Sequence, residues 1–167
     1  MSCMVKLQGY TREEILPTVF SEPYRESDQE ALVAYIASQS NGMQFDLKLE
    51  HPREKKAAAI GEAIFYRRAG TMDFSCATCH VGENKRIRLQ ALMNINKPKQ
   101  VQEVMGSWPT YRVSQGTVRT MQHRIWDCHW QMRLPDIEYG SDASVALITY
   151  LSSRANGGVI NVPAIKR

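Results

Sequence analysis

The string Cys76-Ala77-Thr78-Cys79-His80 holds three residues whose types and spacing point to one chemistry. Two thiols separated by two residues match the separation of the vinyl groups on a porphyrin. A histidine directly after the second thiol is placed to bind iron from below. This is the attachment pattern of a c-type haem. The same thiol spacing also occurs in redox dithiols and in zinc half-sites. A thioredoxin-like dithiol wants a preceding strand and a βαβ context, and neither is legible here. Tetrahedral zinc wants two further ligands, and the candidates Cys128 and His129 are sequence neighbours. The sequence therefore reads as binding one haem c covalently through Cys76 and Cys79, with His80 as an iron ligand.

The group opposite His80 decides between an electron carrier and a catalyst. Small c cytochromes place a methionine there, and Met105, Met121 and Met132 are the candidates. Met121, Ile125, Cys128 and Met132 form one helical stripe, and methionine at such spacing is also ordinary core filling. Cys128, in "HRIWDCHW", is the only cysteine of this half outside the attachment motif. Arg124 lies four residues earlier, one turn away on the same face. Taken singly, Cys128 reads as a small buried hydrophobe and Arg124 as a solvated or propionate-pairing charge. Together they set a thiol beside a permanent cation. A cation lowers a thiol's pKa, and the thiolate is the form that binds iron or attacks sulfur. His123 and His129 flank the pair and compete as ligands.

Helices must bring these groups together. Ser27-Asp28-Gln29-Glu30 has capping-box spacing, and a helix from there places Leu32, Val33 and Ile36 on one face and stops at Asn41-Gly42. Arg53 to Ala69 reads as a second helix, with Ile60, Ile64 and Phe65 inward and Gly70 as its stop. His51-Pro52 reads as a linker, so a domain boundary falls near residue 50. Between Cys79 and Gly116 the periodicity loosens around Pro98, Gly106, Pro109 and Gly116, as loops wrapped round a cofactor would. A further helix is expected over Thr117 to Met132. The last opens at Ser141-Asp142, turns Leu147, Ile148 and Leu151 inward, and stops at Asn156-Gly157-Gly158. Strand signals are scarce, so the class is mainly α. "ALVAYIASQSNG" (Ala31 to Gly42) and "ALITYLSSRANG" (Ala146 to Gly157) are near-copies at domain-sized spacing, which points to one unit used twice.

Composition narrows the rest. The chain has 167 residues, of which 43% are hydrophobic and 23% charged, with a net charge of +4 and a pI of about 8.9. These values suit a globular protein with an anionic substrate or partner. No stripe of basic residues interleaves with aromatics, which argues against nucleic acid. No apolar run approaches the ~20 residues of a membrane helix, so membrane insertion is not expected. The opening "MSCMVKLQGY" lacks a leader pattern. Haem attachment through cysteines takes place after export, so the expectation is a trimmed chain that works in the periplasm.

"GEAIFYRRAGTMDFSCATCH", "WPTYR", "TMQHRIWDC" and "NGGVINVPAIKR" resemble the SoxA family, the catalytic subunits of the SoxAX cytochrome complexes of sulfur-oxidising bacteria. The resemblance runs from about Ala31 to Arg167. It implies a tandem pair of cytochrome c-like domains, the N-terminal one incomplete and without haem. Residues 1–50 would be the remnant of the first domain and 51–167 the haem-binding domain. Cys3 would match the distal cysteine of the first. The resemblance also implies iron ligation by His80 and Cys128, with Arg124 near an anion. The implied activity is an L-cysteine S-thiosulfotransferase that couples thiosulfate oxidatively to a cysteine of the carrier SoxY, in SoxYZ. Electrons would pass through the haem to SoxX or another cytochrome c. The alternative is a monohaem electron carrier without sulfur chemistry.

Overall fold

The computed structural model describes residues 26–167 apart from Arg88. Cys3 and the rest of segment 1–25 lie outside the described residues. Among the described residues six α-helices run in order: α1 (Glu26–Ser38), α2 (Pro52–Tyr66), α3 (Cys76–His80), α4 (Pro98–Met105), α5 (Met121–Gln131) and α6 (Asp142–Arg154). Five short strands fill the gaps: β1 (Arg86–Ile87), β2 (Gln90–Ala91), β3 (Thr110–Arg112), β4 (Thr117–Arg119) and β5 (Ala164–Lys166). The described chain is largely helical, in agreement with the mainly α reading.

The most extensive contact is the crossing of α2 and α6. Helix α2 starts at an N-cap His51, whose Nδ1 accepts from the Arg53 amide, while Glu54 accepts from the His51 amide. Its buried face is Ala58, Gly61 and Phe65. A Cβ on Gly61 would lie 2.0 Å from the Ala146 carbonyl oxygen and 2.8 Å from the Tyr150 Cβ. The missing side chain is what lets the two backbones touch. Phe65 then packs against Tyr150 with ring centroids 5.6 Å apart, and Ile95, Val101, Met105, Ile125, Leu147 and Leu151 complete the core.

Several expected features shift. Helix α2 ends at Tyr66 rather than Ala69. Ile60 is 43% exposed rather than inward, because the crossing at Gly61 fixes which face is covered. In α1, Leu32, Val33 and Ile36 are exposed, whereas Glu30 and Ala34 are buried. That helix docks through Glu30, which accepts two hydrogen bonds from the Arg119 guanidinium at 3.1 and 3.2 Å. The helix expected from Thr117 begins instead at Met121. Its first residues form β4, and Thr120 caps α5 by accepting from the His123 amide. The loose region before Gly116 contains α4, with Pro98 at its first turn, where a missing amide hydrogen is tolerated. Helix α6, with Ser141 as N-cap and Leu147 and Leu151 buried, matches the expectation.

In the three-stranded sheet, β3 pairs antiparallel with β4 and parallel with β5, and Arg112 is the register partner of Lys166. The two near-copies end in segments that embrace each other. Gly42 N donates to Ile160 O and Ile160 N to Met43 O, while Gly157 N donates to Phe45 O and Phe45 N to Gly158 O. The Asn41 side chain bonds both backbone groups of Val162, and the Asn156 side chain bonds both of Leu47. Each bond has a counterpart in the other copy, so the junction carries a local two-fold relation. Gly42 (φ 84°) and Gly157 (φ 82°) both hold the left-handed conformation that ends their helices.

Substituting Gly61 by Ala should force α2 and α6 apart and destabilise the protein by about 1–3 kcal/mol, the usual range for overpacking. A urea-denaturation midpoint equal to that of the parent would show that the crossing has slack.

Candidate functional site

Helix α3 is the attachment motif, and the motif's own residues make it helical. Ser75 is the N-cap; its Oγ accepts from the Thr78 amide at 3.2 Å, and the Thr78 Oγ1 accepts from the Ser75 amide at 3.0 Å. Thr78, one of the two residues between the thiols, thus closes a reciprocal cap. His80 Nδ1–H donates to the Met93 carbonyl at 3.0 Å. That bond fixes the tautomer and leaves the Nε2 lone pair as a ligand for metal. Burial holds the imidazole pKa below its usual value; the Met93 carbonyl pulls the other way, and the Arg124 charge adds to the burial. The ring is therefore kept neutral, the form that coordinates iron.

Cys76, Cys79 and His80 open onto a cavity with about 1170 Å³ of empty space including its mouth. Its walls include Phe65, Met93, Leu147 and Leu151, and its other functional groups are Arg112, Arg124, Cys128, His129 and Lys166. The structure thus brings together all five site residues read from the sequence: Cys76, Cys79, His80, Arg124 and Cys128. Met105, Met121 and Met132 also line the cavity. His123 does not; its Nδ1 shares a 2.6 Å hydrogen bond with the Tyr139 hydroxyl, and its ring packs 5.4 Å from that of Trp126. It drops out as a competing ligand. His129 Nδ1–H donates to the Pro135 carbonyl at 2.7 Å, and its buried Nε2 has no partner among the described residues.

Arg124 and Cys128 sit on α5 as the helical spacing requires. The Arg124 Nη1 donates to the Asp127 Oδ2 at 2.8 Å, with both side chains largely buried. Arg124 acts on the thiol in the direction the sequence implies, but burial outweighs it. Burial pushes the Cys128 pKa up; Arg124 pulls it down by less, and Asp127 works with the burial. Cys76 is likewise pushed up to about 12, mainly by burial and then by Cys128. Each of the three thiols is free of disulfide. Burial thus favours the protonated form of Cys76 and Cys128.

The residues fit a covalently attached porphyrin: two half-buried thiols and a neutral imidazole on one short helix, an apolar chamber beside them, and an orphaned ring nitrogen in its wall. Among the described residues, no group of three or more His, Cys, Asp or Glu side chains forms a metal cage. No helix there is long and apolar enough to cross a membrane. Sequence reading did not single out Arg112 and Lys166. Each lies on a strand of three residues, too short for period-2 alternation to stand out.

Known proteins resemble this chain. Residues 60–160 match the family described as SoxA/TsdA, cytochrome c domain. The L-cysteine S-thiosulfotransferase subunit SoxA of Hydrogenophilus thermoluteolus is 42% identical over 170 residues, covering 100% of this chain and 61% of that one. A subunit of the same name from Hydrogenobacter thermophilus is 42% identical over 134 residues, covering 80% and 51%. The chain thus spans 51–61% of the length of these relatives. A chain of the crystal structure of SoxXA from P. pantotrophus superposes with a TM-score of 0.75 at 24% identity, over 92% of this chain and 56% of that one. At that identity the likeness speaks for the fold.

If both thiols of α3 are attachment points, the denatured protein should weigh one haem more than its polypeptide. Cys76→Ala with Cys79→Ala should remove that extra mass. A bare-chain mass for the parent would defeat the reading of the motif.

Proposed function

The chain belongs to the SoxA/TsdA cytochrome c family, and from that premise we propose that it is the haem-bearing part of an L-cysteine S-thiosulfotransferase. The observation that carries this reading is the meeting of Cys128 and Arg124 with Cys76, Cys79 and His80 at one cavity. One haem c would be held by thioether bonds to Cys76 and Cys79, with His80 and Cys128 as its iron ligands. When bound, the haem supplies a one-electron acceptor beside the Cys128 sulfur. The relatives are named L-cysteine S-thiosulfotransferase subunits; in the reading proposed here the acceptor cysteine belongs to a carrier protein, SoxY in SoxYZ.

The net change is S2O3(2−) + R–SH → R–S–SSO3(−) + H(+) + 2e(−). One S–S bond forms, the carrier thiol loses its proton, and two electrons leave. A single one-electron acceptor does not suffice, so a partner cytochrome is required; the superposable chain comes from a complex called SoxXA, which points to SoxX as that partner. The chain's own groups divide the remaining work. Cys128 offers sulfur to the sulfane end of the substrate. Arg124 lowers the cost of negative charge at that sulfur, against the burial that keeps the thiol protonated. The apolar wall formed by Phe65, Leu147 and Leu151 limits water beside the reacting sulfurs.

The periplasm follows as the workplace, because haem is joined to cysteines after export. Residues 1–50 are assigned in this reading to a first cytochrome c-like domain, ahead of the haem-binding unit 51–167. The two-fold junction between segments 41–47 and 156–162 supports this, because it relates the ends of the two near-copies. Met121 and Met132 at the same cavity favour a second reading, an electron carrier with a methionine ligand.

Cys128→Met decides between them. The variant should keep its covalent haem and its fold, because methionine is a competent ligand, yet lose coupling of thiosulfate to the carrier cysteine. Coupling at the parent rate would remove Cys128 as the reacting sulfur and leave the electron-carrier reading. Low-temperature EPR of the oxidised parent should show a thiolate-type low-spin signal that the variant lacks.

A further inference from the structure

Of the cations that line the cavity, Arg124 already has a partner, since Asp127 sits 2.8 Å from its guanidinium and the pair is neutral overall. Arg112 is different. It is 9% exposed, it lines the cavity, and among the described residues no carboxylate lies within ion-pairing distance of it. Lys166 lines the same wall, is likewise without an ion pair among the described residues, and faces Arg112 across the parallel β3–β5 ladder. Strands so paired stand about 4.8 Å apart. Like charges on neighbouring strands, partly withdrawn from water, repel one another, and an anion held by both relieves that repulsion.

We propose that Arg112 and Lys166 form the oxyanion site of this cavity, holding the oxygen-bearing end of a dianionic sulfur compound beside Cys128. Glu103 lies within electrostatic reach of Lys166, and Asp127 of Arg112, but neither forms an ion pair with them; two cations without an ion pair among the described residues thus meet one dianion, whereas Arg124 is paired with Asp127. The chemistries also match. The planar guanidinium can bond two oxygens of a sulfonate at once, and the ammonium supplies a point charge to the third. The position matches as well, because Arg112 lies within the electrostatic reach of Arg124, Asp127 and Cys128. With its oxygens held at the strand wall, the substrate has its sulfane sulfur left for α5. Naming thiosulfate as the anion rests on the function proposed above; the existence of an oxyanion site does not. The carboxylates of a haem in the same cavity share this chemistry and are the competing occupant.

Inorganic sulfate, an unreactive tetrahedral dianion, is the probe. Calorimetric titration of the oxidised, haem-loaded protein should show saturable binding at one site. Arg112→Gln should weaken it roughly ten- to a hundredfold, the loss expected for charge-assisted hydrogen bonds. Arg112→Lys should restore only part of the affinity while leaving the haem reduction potential unchanged, since it conserves charge. Lys166→Gln should weaken sulfate in the same direction, and it carries the test if Arg112 variants do not fold. The inference fails if the parent binds no sulfate, or if Arg112→Gln and Lys166→Gln both bind as the parent does. It also fails if Arg112→Lys moves the reduction potential at unchanged sulfate affinity, which assigns the pair to haem carboxylates. Sulfate binding that depends on Arg112, in a parent unable to couple thiosulfate, would uphold the site while removing the transferase reading.

Discussion

Two helices lie backbone to backbone at Gly61, and the rest of the molecule is arranged around that approach. Because α2 gives up a side chain there, the Ala146 carbonyl comes within 2.0 Å of where a Cβ would be. Close approach turns Phe65, Leu147, Tyr150 and Leu151 inward as one packed layer. Phe65 and Leu147 then serve twice, as core and as cavity wall. Helix α3 follows α2 after a short turn, so the crossing also positions the thiols and His80, whose ring stands 6.4 Å from that of Phe65. A weaker crossing would loosen the core and the cofactor chamber together.

The chamber keeps its charges in order by burial and pairing. Desolvation raises the pKa of Cys76 and Cys128 and lowers that of His80, which favours the neutral form of all three. Arg124 is balanced by Asp127, while Arg112 and Lys166 stand unpaired among the described residues on the strand wall. The site is therefore polarised from the strands, which carry positive charge, to α3, which carries none. A neutral wall suits a macrocycle with a metal at its centre, and a positive one suits a small anion.

The chemistry was legible where it was local. The attachment string needs only five consecutive residues, and α5 needs only the four-residue step that joins Arg124 to Cys128. Helix α6 was legible because its caps and its apolar stripe agree. Three features were hidden. The inward face of α1 is set by an ion pair between Glu30 and Arg119, residues far apart in sequence, which overrides the apolar pattern of Leu32, Val33 and Ile36. The strands are two or three residues long, so their pairing, and with it the placement of Arg112 beside Lys166, comes from tertiary contact alone. The thiol's protonation depends on how deeply it is buried, which helical spacing does not reveal.

The junction of segments 41–47 and 156–162 has the form of an isologous interface, the kind that normally joins two identical subunits. Here both halves belong to one polypeptide, bonded by four backbone and four amide contacts. Each half finds its complement within the same molecule, at an effective concentration of the order of millimolar for a flexible tether. A half taken from a second molecule would offer the same donors and acceptors. Exchange between molecules is therefore disfavoured by concentration and not by chemistry. A crowded, partly unfolded population of this protein has a ready-made route to domain-swapped dimers through its repeated Asn-Gly ends.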